Sequence, residues 1–483
     1  MAYSKQPALQ TYETKRINFI SNPQQRSSSA DKDFRLVNMM TEAVVSPLGE
    51  GKKYYVKSRP GLSTSYTTAS GAGRGIYSWV ISGVSYAMTV VGNKVYYNGT
   101  AVPSLTLAGS TGLCGFTEFV SSTGTVSLIL LDGTDGYVFS NQSTYTKITD
   151  ADFPTPHIPI PIFVDAYLFI AKANTQDIYN SDLDNPLLWT AGNFISAEMY
   201  PDKIVALSKN NNYLYAIGSN SVEYLYDAAN ATGSPLGRHD SAVQQFGTVS
   251  ASSVVQTEKE VVFIGETGNG GHTVWTIDGF KEKEIGIPSV KQALFAEGAT
   301  LSTATAFCIR VANQKLYVIC LTARTLVYSF DTQMWSEWQS GSTIFTGSKG
   351  TDGPNGSAYV LDKSNGNVYL MNETLFTDAG TAFTCSIISA KLDFDSMNRK
   401  FMNRFTLVGD VPDDTLVNTA VSVQWSDDDY KTFNTARTLT FNADLPAIFQ
   451  LGSFRRRAFK ISYSLPYLFR IEAVEVDINK GAN

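Results

Sequence analysis

The chain has 483 residues, of which 43% are hydrophobic, 12% aromatic and 17% charged. Low charge with 25 Tyr and 27 Phe excludes intrinsic disorder, and the length allows a large buried core. The net charge of −6, from 38 basic and 44 acidic residues, argues against a broad basic face that grips nucleic acid.

In chain order, Met1-Ala2-Tyr3-Ser4-Lys5-Gln6 lacks the apolar stretch of a signal peptide. Lys15 to Phe34 is polar and Ser-rich and reads as an extended arm, of a kind that a neighbouring subunit would hold. Tyr54 to Leu62 follows, with Pro60-Gly61 as a turn signal. The longest apolar stretch, Ile158 to Ala171, is broken by Pro159, Pro161 and Asp165, so no membrane span is expected. Synthesis as a soluble chain in a reducing cytoplasm is the expectation.

From about residue 75 to 375 one pattern recurs: an aromatic and β-branched run ending in Asn, Asp or Gly. The copies are Lys94–Gly99, Gly136–Asn141, Asp177–Asp182, Ser221–Asp227, Thr273–Gly279, Thr325–Asp331 and Asn367–Asn372. Their spacing of roughly 40–50 residues is that of β-propeller repeats. Most have a partner strand just upstream, as Tyr213–Gly218 precedes Val222 and Ala358–Asp362 precedes Val368. Repeated hairpins close best as radial blades, which leave only short edges. One short helix is expected, Pro288 to Glu297. Beyond residue 380, strands are expected at Phe383–Phe394, Phe405–Val408, Val421–Trp425, Thr438–Phe441, Arg457–Tyr463 and Phe469–Ile478. The expected fold is all-β: an N-terminal arm and lead-in strands (1–62), a β-propeller of six or seven blades (63–380) and a C-terminal β-sandwich-like domain (381–483).

The search for chemistry returns little. The four cysteines, Cys114, Cys308, Cys320 and Cys385, contain no C-x-x-C. Cys308 and Cys320 flank a turn at Ala312–Lys315 and read as reduced core thiols. His157, His239 and His272 have no zinc-ligand spacing, and there is no G-x-S-x-G elbow. Gly49–Lys53 falls short of a P-loop. Gly265–Gly271 precedes a strand rather than a helix and reads as a hairpin tip. Gly71–Gly75 likewise reads as a loop. No catalytic residue, cofactor or metal is assigned. Asp182–Asn185 and Asp427–Asp429 are read as turn caps before cation ligands. Ser426-Asp427-Asp428-Asp429-Tyr430-Lys431-Thr432-Phe433 approaches the Asp-box S-x-D-x-G-x-T-W, with Tyr430 and Phe433 as departures. The densest basic feature is Arg455-Arg456-Arg457 with Lys460, and Arg399, Lys400 and Arg404 form a second cluster. Both are taken as candidate protein–protein interface, ahead of DNA contact.

Several motifs in order resemble the tail accessory, or packaged-DNA-stabilisation, proteins of short-tailed bacteriophages, which form the tail nozzle or hub. They are Val37-Asn38-Met39, Tyr55-Val56-Lys57-Ser58-Arg59-Pro60-Gly61-Leu62, Ile217 to Tyr224, and Gln244 to Ser250. Trp425 to Tyr430, Gly452 to Phe459 and Phe469 to Asp477 complete the set, so the likeness runs from about residue 35 to 478. Gly71–Gly75 has no counterpart in it. The resemblance implies a structural virion protein of the podovirus tail, assembled in the host bacterium. It implies a homo-oligomer, a hexameric ring below the portal and head-to-tail adaptor. That ring would close the DNA-filled head and enclose genomic DNA transiently during ejection. A tail needle, fibres or spikes are the further partners implied. A negative lumen would let DNA pass without sticking. Two other classes stay open: a propeller that degrades polysaccharide, and a receptor-binding tail module.

Overall fold

Seven short antiparallel sheets succeed one another from Gly73 to Asn372 among the described residues. The structure, a computed structural model, describes residues 12–18, 32–45, 52–267, 270–410 and 419–481. The chain divides into two compact units. One, the propeller, is Leu62–Phe330 with Ile344–Glu373; the other gathers Met1–Gly61, Asp331–Thr343 and Thr374–Asn483.

Each blade of the propeller is a run of neighbouring strands. Blade 1 is Gly73–Ile81, Val84–Val91, Lys94–Tyr97 and Thr100–Ala101. Blade 2 is Gly115–Val120, Val126–Leu131, Gly136–Phe139 and Tyr145–Lys147. Blade 3 is Ile162–Val164, Tyr167–Ala171, Asp177–Asp182 and Asn185–Ser196, and blade 4 is Ile204–Asn210, Tyr213–Gly218, Val222–Asp227 and Leu236–Gln244. In blade 5 the first strand is split into Phe246–Thr248 and Val255–Gln256, before Val261–Thr267, Gly271–Asp278 and Lys281–Glu284. Blade 6 contributes Thr305–Val311, Gln314–Cys320 and Thr325–Ser329, and blade 7 Gly347–Asp352, Ala358–Asp362 and Asn367–Asn372. First strands of successive blades lie side by side, and blade 7 returns to blade 1.

The open question of six or seven blades is thereby answered. The strand Gly61–Thr67 lies beside Asn367–Asn372 and completes the last blade, so the propeller has seven. Ser63 Oγ donates to Leu370 O at 3.4 Å and Thr68 N to Gly366 O at 3.3 Å. The beginning and end of the propeller are thus hydrogen-bonded to each other.

Two-residue periodicity explains the packing. Along Val126–Leu131, Leu128 and Leu130 join a core with Trp79, Met88 and Val90 of blade 1. Ile129 and Leu131 point to the other face and join Leu168, Ile170 and Trp189 of blade 3. A strand covered on both faces needs an unbroken apolar run, and Leu-Ile-Leu-Leu supplies it. Each fully buried side chain of this kind stabilises by about 1.5–3 kcal/mol. The first strands approach closely: a Cβ on Gly75 would stand 2.5 Å from the carbonyl oxygen of Cys114 in the segment before blade 2. Gly71–Gly75 therefore leads into the first strand of blade 1 rather than forming a free loop. The helix falls where expected, at Pro288–Glu297, with Val290, Ala293 and Leu294 buried and Gly298 at φ +54° ending it.

The second unit is a sandwich of two sheets. One has the order Met39–Val45, Lys52–Ser58, Arg470–Lys480, Lys400–Asp410, Ala447–Phe454. The other contains Met334–Ser340, Arg35–Val37, Cys385–Ile388, Ala458–Tyr463, Ala420–Ser426 and Arg437–Thr440 in that order. Met39, Phe405, Val474 and Val476 from the first sheet share a core with Leu36, Ile387, Val423 and Ile461 from the second. The sandwich expected in 381–483 therefore draws strands from before residue 60 and from 334–340 as well. The start of the polar arm is held within the chain: Glu13–Ile17 pairs antiparallel with Arg470–Lys480, with Lys15 opposite Val476. A neighbouring subunit is not needed to order that part. The rest of the arm, 19–31, lies outside the described residues.

Candidate functional site

The seven basic residues picked from the sequence all fall in the sandwich, and their environments differ. Arg457 is 1% exposed. Its Nε and Nη2 each donate to Asp427 at 2.8 Å, and Nη1 donates to Leu451 O at 2.9 Å. The guanidinium also lies 4.3 Å from the ring centre of Phe454 and 5.2 Å from that of Trp425. Lys400 is buried, and its Nζ donates to Ser396 O at 2.5 Å and Asn398 O at 2.8 Å. Arg457 is thus ion-paired, and Lys400 hydrogen-bonded, inside the unit. Arg404 pairs with Asp477 at 3.0 Å on the sheet surface. Lys460 and Arg456 are half-buried, with the Lys460 amine 5.9 Å from the ring centre of Phe433. Arg455 and Arg399 are exposed, and Arg455 Nη1 donates to Met397 O at 2.7 Å.

The acidic clusters are turn chemistry. Asp428 accepts from Ser426 Oγ (2.8 Å), Thr432 N (3.0 Å) and Thr432 Oγ1 (2.6 Å), while Ser426 Oγ accepts from Tyr430 N (3.0 Å). This is the hydrogen-bonding of an Asp box. The hydroxyl and amide donors of Thr432 and Ser426 hold the Asp428 carboxyl down at about 2. Tyr430 takes φ +61° where the motif has glycine. Asp429 is paired with Lys391 and, at 3.3 Å, with Lys32. All three aspartates of the cluster are engaged within the protein. Asp182 accepts from Thr190 Oγ1 at 3.0 Å, and Asp184 accepts from Ser122 N at 2.7 Å, tying a blade 3 turn to blade 2. Among the described residues no group of three His, Cys, Asp or Glu is placed to hold a metal. His157 is buried beside Pro154 O at 2.9 Å, and burial pushes its pKa down. Cys308 lies opposite Tyr317 and Cys320 opposite Thr305; both thiols are free, and burial pushes them up to about 12 and about 11.

What the sequence did not single out is the centre of the sandwich. Asn38 stands between strands Arg35–Val37 and Met39–Val45, at φ +54°, where the chain passes from one sheet to the other. Its Oδ1 accepts from Arg59 Nε (2.9 Å) and Gln339 N (2.8 Å), and its Nδ2 donates to Thr384 O (2.9 Å). Arg59, 0% exposed, forks onto Asp378 at 3.0 and 2.6 Å and lies 4.0 Å from the ring centre of Phe383. This one constellation joins the three separated segments of the unit. Arg470 works similarly: its Nε donates to Glu42 at 2.8 Å, it pairs with Asp410, and it sits 3.7 Å from the ring centre of Tyr55. The available signal was that Asn38, Arg59, Arg457 and Arg470 all lie inside the quoted motifs. In the propeller motif, buried Glu223 accepts from Met199 N at 2.9 Å, and burial pushes its carboxyl up. Asp202 caps the same hairpin through Asn220 N at 2.7 Å and Ser221 Oγ at 2.9 Å.

A family profile described as Bacteriophage P22 Gp10, beta-propeller (Phage_stabilise) matches residues 21–376. The chain belongs to this family. It is thereby a bacteriophage structural protein of the tail and DNA-stabilisation class. No curated protein matches the chain in sequence. Among solved structures, a streptogramin B lyase is 13% identical, covering 66% of this chain and 97% of its own, at TM-score 0.40. The Cps50 (Swd1) β-propeller domain of Myceliophteria thermophila is 9% identical over 65% of this chain and 100% of its own, at TM-score 0.40. PorZ of Porphyromonas gingivalis is 10% identical over 80% of this chain and 46% of its own, at TM-score 0.36. Likenesses this distant carry no argument about chemistry. Among the described residues no helix is long and apolar enough to cross a membrane.

Proposed function

We propose that copies of this chain close into a ring, six-membered, below the portal and adaptor of a short-tailed phage. The ring plugs the filled head and forms part of the channel for DNA ejection, acting as a structural component and not an enzyme. The observation that carries this reading is the family match across residues 21–376 on a closed seven-bladed propeller. A ring of identical subunits needs a heterologous interface that closes by rotation. Exposed Phe401 (49%) and Phe449 (46%), on neighbouring sandwich strands, supply apolar surface for such contact. Arg399 and Arg455 add exposed charge on the same unit. The net charge of −6 suits a conduit that DNA passes without being held.

The test is a phage that lacks the protein. Its filled heads are expected to lose their genome or expose it to nuclease, and purified protein is expected to restore retention. Particles that keep DNA and infect without the protein would contradict the reading.

A further inference from the structure

First strands of blades 1, 2, 6 and 7, with the 254–258 segment of blade 5, line an open cavity of about 600 Å³ in the propeller. That volume is within the range of small-molecule sites. Its wall mixes apolar groups (Ile76, Phe116, Phe307) with a few charges.

Lys349, on the first strand of blade 7, lines the cavity and is 8% exposed. Among the described residues its amine has neither a hydrogen-bond acceptor nor a carboxylate at ion-pair distance. Neither acid of the cavity wall is at ion-pair distance from the Lys349 amine. Glu258 pairs with Lys315 at 3.0 Å and Arg310 at 3.1 Å, and Asp352 accepts from Arg310 N at 2.6 Å. The titratable groups that act on Lys349 are the Cys114 and Cys320 thiols, themselves held protonated by burial at about 12 and about 11. Neither supplies a negative charge. Burial lowers the Lys349 amine only to about 8, so most of it stays cationic at pH 7. A buried charge without a partner is unfavourable, and nature's usual remedy is a counterion.

We propose that this cavity is a binding site for a small oxyanion, a phosphate or a carboxylate, with Lys349 as the group that holds it. The burial of the Lys349 side chain lowers the local dielectric and strengthens that attraction. The site is independent of the tail reading, because it rests on the propeller alone.

The test is calorimetric titration of the full-length protein at pH 7 with inorganic phosphate and, separately, citrate. Saturable binding of one or the other, one per chain, is expected, and the responding arm identifies the oxyanion class. K349M is expected to weaken it at least tenfold. Absence of saturable binding in both arms, or equal affinity in K349M, would overturn the proposal. Should K349M not fold, the unaltered protein is treated with formaldehyde and borohydride and its lysines are read by peptide mass spectrometry. Saturating phosphate or citrate is then expected to slow methylation of Lys349 severalfold while exposed Lys431 keeps its rate. An unchanged rate at Lys349 would likewise overturn it.

Discussion

The propeller and the sandwich solve the same problem by opposite means. In the propeller every sheet but the last is made from one stretch of chain, and its apolar faces meet those of the blades next to it. In the sandwich, sheets are assembled from segments before residue 62, around 334–340 and after 374, and buried Arg59 ties all three together. Arg59 and Arg457 each fork onto an aspartate and stack on aromatic rings. The propeller's own buried arginine, Arg74, instead donates to the carbonyls of Gly92, Gly109 and Gly112, at 2.7–3.0 Å. Local repetition needs only apolar matching between neighbours. Distant segments need directional, charged bonds to fix which strand meets which.

Removing Arg59 breaks this contrast most severely. Arg59→Ala leaves Asp378 half of a buried pair and Asn38 Oδ1 with one of its two donors, an expected loss of about 3–5 kcal/mol. Hydrogen exchange should quicken across sandwich peptides while blades 2 and 3 keep their protection. Uniform loss over both units would show that the division of labour is wrong.

Core deletions in the propeller should act on blade pairs. Leu130→Ala and Ile129→Ala each lose about 3 kcal/mol by denaturant unfolding. The first should loosen blades 1 and 2, the second blades 2 and 3, read by the same exchange experiment. Identical exchange patterns would remove the alternation argument. Gly75→Ala, which forces a Cβ against the Cys114 carbonyl, is expected to lose about 1–3 kcal/mol.

The smallest effect concerns pH. The Asp428 carboxyl, ordinarily at 3.8, is held at about 2 by its turn. Folded-state depression means its contribution is complete above the ordinary value and is lost as pH falls from there through about 2. Asp428→Asn should erase that part of the acid sensitivity. An NMR titration finding this carboxyl at its ordinary value would contradict the assignment.

The contrast also explains what could be read from the sequence. Every recurring run became the third strand of a blade, from Lys94–Tyr97 to Asn367–Asn372, because a hairpin is specified by adjacent residues. Blade number stayed open because the closing strand, Gly61–Thr67, lies three hundred residues from its partner in the chain. Ala447–Phe454 escaped notice because Gln450 and Gly452, both at positive φ, interrupt its alternation. Nothing local distinguishes Arg457 from Arg455 and Arg456, because its partner Asp427 lies 30 positions away. Arg59 and Asp378 are 319 positions apart, beyond any local pattern. Lys349 carried no motif at all; only the closing of the propeller placed it in a cavity.

The central claim is that these two units build a ring at the phage tail. Electron microscopy of the purified chain mixed with its head-to-tail adaptor ring tests it most directly. The account predicts a closed ring of six identical copies seated on the adaptor. A persistent monomer that leaves the adaptor bare would contradict it.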